Sequence, residues 1–330
     1  MKTDQGPLKK YKSIPRLSLA NFLTPVERCD RIQKEFPSSP QIYIKRDDST
    51  GFLIGGNKIR KLEYVMADVL QKKAATVLTI GSVQSNHARV TAMVARRLGL
   101  KCILILSGDI PDQPKGNLFL TNLLGVEIVG VGTRDERSAK MEEISRDLKA
   151  RGEIIYQIPL GASDEIGSFG MTAAFEELLA QEARLGLEFD VIVIGSSSGG
   201  TQAGLEVGKK LFKRDRLRIA GISPDDPSAS IKERVIGAAN PMLSRLGLTD
   251  SLTPDQLWVD DAHIGQGYGM TSPEAEAATS LFARSEGIFL DPVYTSKTAA
   301  ALLDYCRKGL FSPRDNVLFW HTGGLIALFS

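Results

Sequence analysis

Residues Val191–Gly204 read VIVIGSSSGGTQAG, and this stretch decides the fold. A run of β-branched residues ends in glycine, and small residues with a glycine pair then open a patterned segment, Gly200–Leu211. A brief apolar run bounded by Gly predicts a strand buried on both faces, as in a parallel sheet. A strand, a Gly-rich loop and a helix in that order aim free backbone N–H groups at an anion. Several readings of the loop compete. As a nucleoside-triphosphate loop it has G-x-x-x-x-G at Gly195 and Gly200, but Thr201 stands where a lysine must reach the outer phosphates. The dinucleotide fingerprint G-x-G-x-x-G is missing. A nucleophile elbow, G-x-S-x-G, fits with Ser197 at its centre, Asp291 as the acid and His321 later in the chain, so a serine hydrolase is one alternative. The remaining reading is a cradle for one phosphate group, built from Ser198–Thr201.

The same alternation continues outward in both directions. Strand-like runs fall at Ile42–Lys45, Val77–Ile80, Cys102–Leu106, Val126–Val129, Ile154–Ile158, Ile219–Ile222 and Val317–Trp320. Helical patterns lie at Lys58–Lys72, Asn86–Gly99, Ala139–Ala150, Thr172–Ala183, Ser228–Leu246, Pro273–Ser285 and Ser296–Arg307. Strands alternating with helices predict an α/β protein with open, mostly parallel sheets and helices on both faces. The polar, Gly-bearing stretch Pro159–Gly170 breaks the alternation and reads as a crossover between two lobes.

Composition narrows the function. The 330 residues hold 41 Lys plus Arg against 39 Asp plus Glu, a net charge of +2 that leaves no footprint for nucleic acid or an anionic membrane. At this length two lobes are expected. Cys29, Cys102 and Cys306 are scattered, as are His87, His263 and His321, which speaks against disulfides and imidazole metal sites and suits the cytoplasm. The N-terminus lacks the apolar core of a secretory signal, and no stretch is long and apolar enough to span a bilayer. With so few reactive side chains, difficult chemistry here points to a bound organic cofactor.

Five other segments carry candidate chemistry. In IGGNKIRKLEY (Ile54–Tyr64), Lys58 opens a helix, either as a solvated first-turn residue or as an amine suited to a Schiff base. In GSVQSNHAR (Gly81–Arg89), Ser85 or Asn86 caps a helix whose N-terminus suits a carboxylate, and His87 lies in its first turn. GQGYG (Gly265–Gly269) and LDPVYTSK (Leu290–Lys297) hold Tyr268 and Tyr294 beside bends. HTGG (His321–Gly324) follows the last strand, where open α/β sheets place ligands.

Taken in order, YIKRDD, GGNKIRKLEY, QSNHAR, GSSSGGTQAGLEVG, GYG, LDPVYTSK and HTGG resemble the pyridoxal-phosphate family of D-cysteine desulfhydrases and 1-aminocyclopropane-1-carboxylate deaminases, from about Leu19 to Phe329. The resemblance implies a tryptophan-synthase-β-like fold, with residues 1–59 plus 166–330 as a large cofactor domain and 60–165 as a small one. It implies pyridoxal phosphate bound covalently at Lys58. Ser198, Gly199, Gly200 and Thr201, with Ser197 beside them, match the phosphate cradle, and Lys61 adds charge near it. Asn86 matches the partner of the cofactor's phenolic oxygen, and Thr322 that of its pyridine nitrogen. Ser85, Asn86 and His87 match the seat of the substrate carboxylate, Ser85 also assisting proton transfer. Tyr268 and Tyr294 match the tyrosines facing the substrate. The expected activity is elimination from a small amino acid, D-cysteine first, giving pyruvate, ammonia and hydrogen sulfide in a cytoplasmic homodimer. The deaminase itself, or a lyase for cysteate or chloroalanine, is the alternative. The deaminase branch carries Glu, Leu and Gln where this chain has Thr295, Thr322 and His87, and all three side with the desulfhydrase branch. Ser82 replaces a usual Gly, and the chain stops at Ser330, a few residues earlier than many relatives, so the cover of the last strand is expected to differ.

Overall fold

The computed structural model describes residues 5–51 and 54–330. The strands are β1 (Val26–Arg28), β2 (Gln41–Arg46), β3 (Thr76–Ser82), β4 (Lys101–Ser107), β5 (Glu127–Val131), β6 (Ile155–Ile158), β7 (Val191–Gly195), β8 (Arg218–Ile222), β9 (Trp258–Asp260) and β10 (Asn316–His321). The helices are α1 (Gln5–Lys12), α2 (Asp30–Glu35), α3 (Asn57–Gln71), α4 (Asn86–Arg97), α5 (Gly116–Leu123), α6 (Glu136–Ala150), α7 (Glu165–Leu185), α8 (Gly200–Leu211), α9 (Ser228–Leu246), α10 (Pro273–Glu286) and α11 (Thr295–Arg307).

They build two sheets. One has six strands in the order β1-β2-β10-β7-β8-β9, and the other has four in the order β5-β4-β3-β6. Every pairing is parallel except β1 with β2, so the expected α/β class with mostly parallel sheets is what forms. The apolar runs of β7 and β10 are buried on both faces. Val191 and Val193 pack with Val317 and Phe319 against α11, while Ile192 and Ile194 pack with Leu318 and Trp320 against α7. Around the smaller sheet, Val77, Leu104 and Leu106 pack on α3 and α4 through Leu62, Val65, Met66, Val90 and Val94.

One expectation needs correcting. Residues 165–170 are not a break but the first turns of α7, which Asp164 caps by accepting from the Gly167 N–H at 2.7 Å. The glycines are there for contact. A Cβ at Gly167 would lie 2.2 Å from the Ala162 carbonyl oxygen, and one at Gly170 2.2 Å from that of Arg60. Thus α7 and α3 press backbone to backbone. The short elements α1, β1, α2, α5 and β9 had no pattern strong enough to mark them in the sequence.

Candidate active site

The carboxyl ends of both sheets open on one cleft. Its walls include Ser82 and Ser107 ending β3 and β4, Arg134 beyond β5 and Gly161 beyond β6 from one sheet. From the other come Ser197–Gly199 beyond β7, Asp225 beyond β8 and Thr322–Gly324 beyond β10. This is where open parallel sheets bind ligands, because connecting loops diverge there.

The glycine loop after β7 leads into α8. Gly199 takes φ +80° ahead of the helix, and no side chain caps it, so the first N–H groups of α8 are left for an anion. Bulk is excluded: a Cβ at Gly199 would lie 2.8 Å from the Arg234 and Val235 backbone, and one at Gly200 2.6 Å from Ser163. Lys61 reaches this loop from below. Its Nζ donates to the Gly161 carbonyl (3.2 Å) and to Ser163 Oγ (2.9 Å), and the Ser163 and Ser198 hydroxyls are 2.7 Å apart. Burial, together with the charge of Lys58, pushes the Lys61 ammonium well below its usual range, and no carboxylate pairs with it among the described residues. A buried lysine beside the uncapped first N–H groups of α8 offers a phosphate both a charge partner and hydrogen-bond donors.

Lys58 is the second residue of α3. The chain enters that helix through Gly56 (φ +58°), where a Cβ would lie 2.3 Å from the Thr322 carbonyl oxygen. The Asn57 N–H donates to the same oxygen at 3.0 Å, and Asn57 Nδ2 donates to Thr201 Oγ1 at 2.9 Å. Lys58 is therefore fixed between the end of β10 and the start of α8, lining the cleft. Burial lowers its ammonium to about 8, against a smaller opposing pull from Asp291. An amine with that value has a far larger neutral, nucleophilic fraction near physiological pH than an ordinary lysine.

The α4 end forms the opposite wall. Ser85 Oγ caps the helix, accepting from the Ala88 N–H at 3.2 Å, and Asn86 Oδ1 accepts from Asn117 Nδ2 at 3.1 Å. The Thr79 hydroxyl donates to the Ile158 carbonyl and lies 2.8 Å from His87 Nε2. The His87 proton consequently sits on Nε2, leaving Nδ1 a bare acceptor. Burial and the nearby Lys58 and Lys61 charges hold that ring neutral.

Hydroxyls link the two sheets across the opening. Tyr268 and Tyr294 oxygens are 2.8 Å apart, and Tyr268 lies 3.4 Å from Ser82 Oγ. The unexplained Ser82 thus has a place, as the smaller sheet's end of this row. Asp291 presents Tyr294 by accepting from the N–H groups of Val293 (3.0 Å), Tyr294 (3.0 Å) and Thr295 (2.9 Å). Thr295 itself is buried against Asp291, its Oγ1 donating to Oδ1 at 2.7 Å, and it does not line the cleft. Thr322 does line it.

The hydrolase alternative fails on geometry. Ser197 Oγ donates to Asp225 at 3.4 Å. His321 Nδ1 accepts from the Gly323 N–H at 3.1 Å, so its Nε2 donates to the Phe289 carbonyl at 2.8 Å. Asp291 is committed to capping, and no hydrogen bond joins Ser197, Asp291 and His321 among the described residues. The structure adds residues that the sequence reading passed over: Arg134, Arg137, Asp225 and Arg234 all line the cleft. Each falls in or just beyond a loop at a strand's carboxyl end, and applying that rule to every strand would have flagged the loops.

Residues 17–323 match the family described as pyridoxal-phosphate dependent enzyme, and the chain belongs to it. It is 37% identical over 327 residues to D-cysteine desulfhydrase of Yersinia pestis (strain Pestoides F), covering 98% of this chain and 97% of the relative. It is also 37% identical to 1-aminocyclopropane-1-carboxylate deaminase of Methylobacterium nodulans, covering 97% of each. A crystal structure of an ACC deaminase homologue superposes with TM-score 0.89 at 36% identity, covering 98% of this chain and 96% of that one.

Proposed function

We propose that this enzyme eliminates a β-substituent from a small α-amino acid, D-cysteine foremost, giving pyruvate, ammonia and hydrogen sulfide. The observation that carries the proposal is the Lys58 amine, lowered to about 8 and held between the uncapped start of α8 and the start of α4. The residues present fit pyridoxal phosphate. Lys58 would hold it covalently, the Ser198–Thr201 loop and Lys61 would take its phosphate, and Asn86 and Thr322 would meet the ring substituents. When bound, that group supplies the electron sink for a carbanion at the substrate α carbon. Ser85 and the first N–H groups of α4 seat the substrate carboxylate. The Lys58 amine removes the α-proton, and Tyr268 or Tyr294, hydrogen-bonded to one another, serves the opposite face.

D-cysteine is preferred over the cyclopropane substrate because the Thr322 hydroxyl lines the cleft and His87 sits, neutral, under the carboxylate seat. Thr295 contributes nothing to that choice, being turned away. The division into domains at 60–165 against 1–59 plus 166–330, a homodimer and a cytoplasmic location belong to the same proposal. The separate sheets support the domain division, and the free, scattered cysteines support the location. Among the described residues no helix is long and apolar enough to cross a membrane.

The purified protein should show a visible cofactor band that borohydride abolishes while fixing the cofactor mass on Lys58. Lys58→Ala should lose the band. Side-by-side assays with D-cysteine, L-cysteine, cysteate and aminocyclopropane carboxylate test the substrate. Faster turnover of the cyclopropane would overturn the preference, and a colourless protein would overturn the whole proposal.

A further inference from the structure

Three arginines line the cleft, and their surroundings differ. Arg134 and Arg234 share the Asp226 carboxylate, at 3.1 and 2.7 Å, and Arg234 also donates to the Ser197 carbonyl at 3.0 Å. Arg137, in the first turn of α6, has no such partner. It is 9% exposed, and its Nε donates to the Arg134 carbonyl at 2.8 Å. That bond fixes the plane of the guanidinium, yet neither terminal nitrogen has a hydrogen-bond partner among the described residues, and no salt bridge reaches it, the neighbouring Asp135 acting on it through its charge alone. Its electrostatic neighbours include Tyr268 and Tyr294, the hydroxyl pair at the mouth of the site, and burial together with the Arg134 charge makes its own charge costly. The single carboxylate among the lining residues, Asp225, is held on the glycine-loop side by Ser197.

A nearly buried, oriented guanidinium with both terminal nitrogens free is built for a bidentate oxyanion. The seat for the substrate's α-carboxylate lies elsewhere, at the start of α4. We propose that Arg137 is a specificity residue that binds a second anionic group, carried on the substrate's β carbon, so that the site accepts α-amino acids with an oxyacid β-substituent beside D-cysteine, which makes no such contact. This rests on the elimination proposed above and deepens it. For a β-sulfonate the reaction is balanced by water alone. The α C–H bond breaks and its proton goes to the enzyme base. The C–S bond then breaks, its electron pair leaving with sulfite, and hydrolysis releases pyruvate and ammonium. A phosphate ester would lose phosphate in the same way.

Binding without turnover gives the first test. 3-Sulfopropionate keeps a carboxylate and a sulfonate but lacks the amino group, and propionate lacks the sulfonate. Calorimetric titration of the holoenzyme should show sulfopropionate binding well above propionate, and Arg137→Gln should weaken it by about tenfold to a hundredfold. Arg137→Lys should recover part of that loss. The second test is kinetic. Arg137→Gln should raise KM for cysteate and O-phosphoserine by a similar factor, leaving KM and kcat for the uncharged β-chloroalanine within about twofold, which also reports a folded variant. Equal binding of sulfopropionate to wild type and Arg137→Gln, or no preference over propionate, overturns the inference. No elimination from chloroalanine by the wild type overturns the parent proposal instead, and the binding comparison still decides the role of Arg137.

Discussion

Asp47→Asn should cost the cofactor-free protein about 3–5 kcal/mol of folding stability, because it leaves two buried cations, Lys45 and Arg60 of the lysine helix, facing the single carboxylate of Glu177. Asp47 is fully buried. It accepts from Arg60 Nε (2.9 Å), Arg60 Nη2 (2.7 Å), Trp320 Nε1 (2.8 Å) and Thr24 Oγ1 (2.9 Å). Glu177 takes Arg60 Nη1 at 2.8 Å and also pairs with the buried Lys45. Two cations and two carboxylates thus balance in the interior, joining β2, β10, α7 and the helix that carries Lys58. Burial alone would raise the Asp47 carboxyl, but Arg60 and Lys45 outweigh it and hold the group below its ordinary value. Its contribution is therefore complete above the unfolded carboxylate pKa of about 4 and is lost as pH falls through the lower folded value, so the gap between wild type and variant narrows only in acid. Urea unfolding followed by circular dichroism at pH 7 measures the loss. The double change Asp47→Leu with Arg60→Met removes charge and counter-charge together and should recover much of it. A loss below about 1 kcal/mol, or a double variant as unstable as the sum of the singles, would refute the assignment of this network as the anchor of α3.

Three further outcomes follow from the cleft itself. Burial lowers the Lys58 ammonium from 10.5 to about 8, so carrying that charge destabilises the cofactor-free protein below about pH 8 and ceases to as pH approaches 10.5. Lys58→Met should then be more stable than wild type at pH 7, by at most about 3 kcal/mol, with urea midpoints converging near pH 10.5. Lys61→Met should act in opposite directions, stabilising the cofactor-free chain while weakening retention of pyridoxal phosphate by about tenfold to a hundredfold, with pyridoxal, which lacks the phosphate, nearly unaffected in equilibrium dialysis. Gly199→Ala must place a Cβ at φ +80° against the Arg234 backbone, and thermal unfolding should show a loss of about 1–3 kcal/mol together with loss of phosphate binding.

What could be seen in the sequence was whatever chain-local chemistry dictates. β7, the glycine loop and α8 were legible because buried strands must be apolar and a close backbone approach must be glycine. Lys58 was visible as an oddity, a cation at the positive end of a helix, and its explanation is an enclosure built by the ends of β10 and α8. The glycines of 165–170 misled for the complementary reason. Gly167 and Gly170 look like breakers in sequence, yet they are helical positions where α7 meets the Ala162 and Arg60 carbonyls. Local pattern cannot distinguish a glycine needed for its φ from one needed for a neighbour's nearness.

The same limit explains the hydroxyl row and the arginines. Nothing in the segment around Ser82 points to its partner, because Tyr268, 186 positions away, comes within 3.4 Å only in the folded chain. Arg134 on a loop, Arg137 at the start of α6 and Arg234 within α9 stand where charged residues are ordinary, and the sharing of Asp226 separates two of them from the third. Satisfied charges are structure and unsatisfied ones are offers to a ligand. By that criterion the cleft makes three offers: the N–H groups of α8 with Lys61, the start of α4, and the guanidinium of Arg137. In the function proposed above, a phosphate and an α-carboxylate answer the first two. The three offers line different walls of one cleft, and the third is the one that a substrate with a second oxyanion would use.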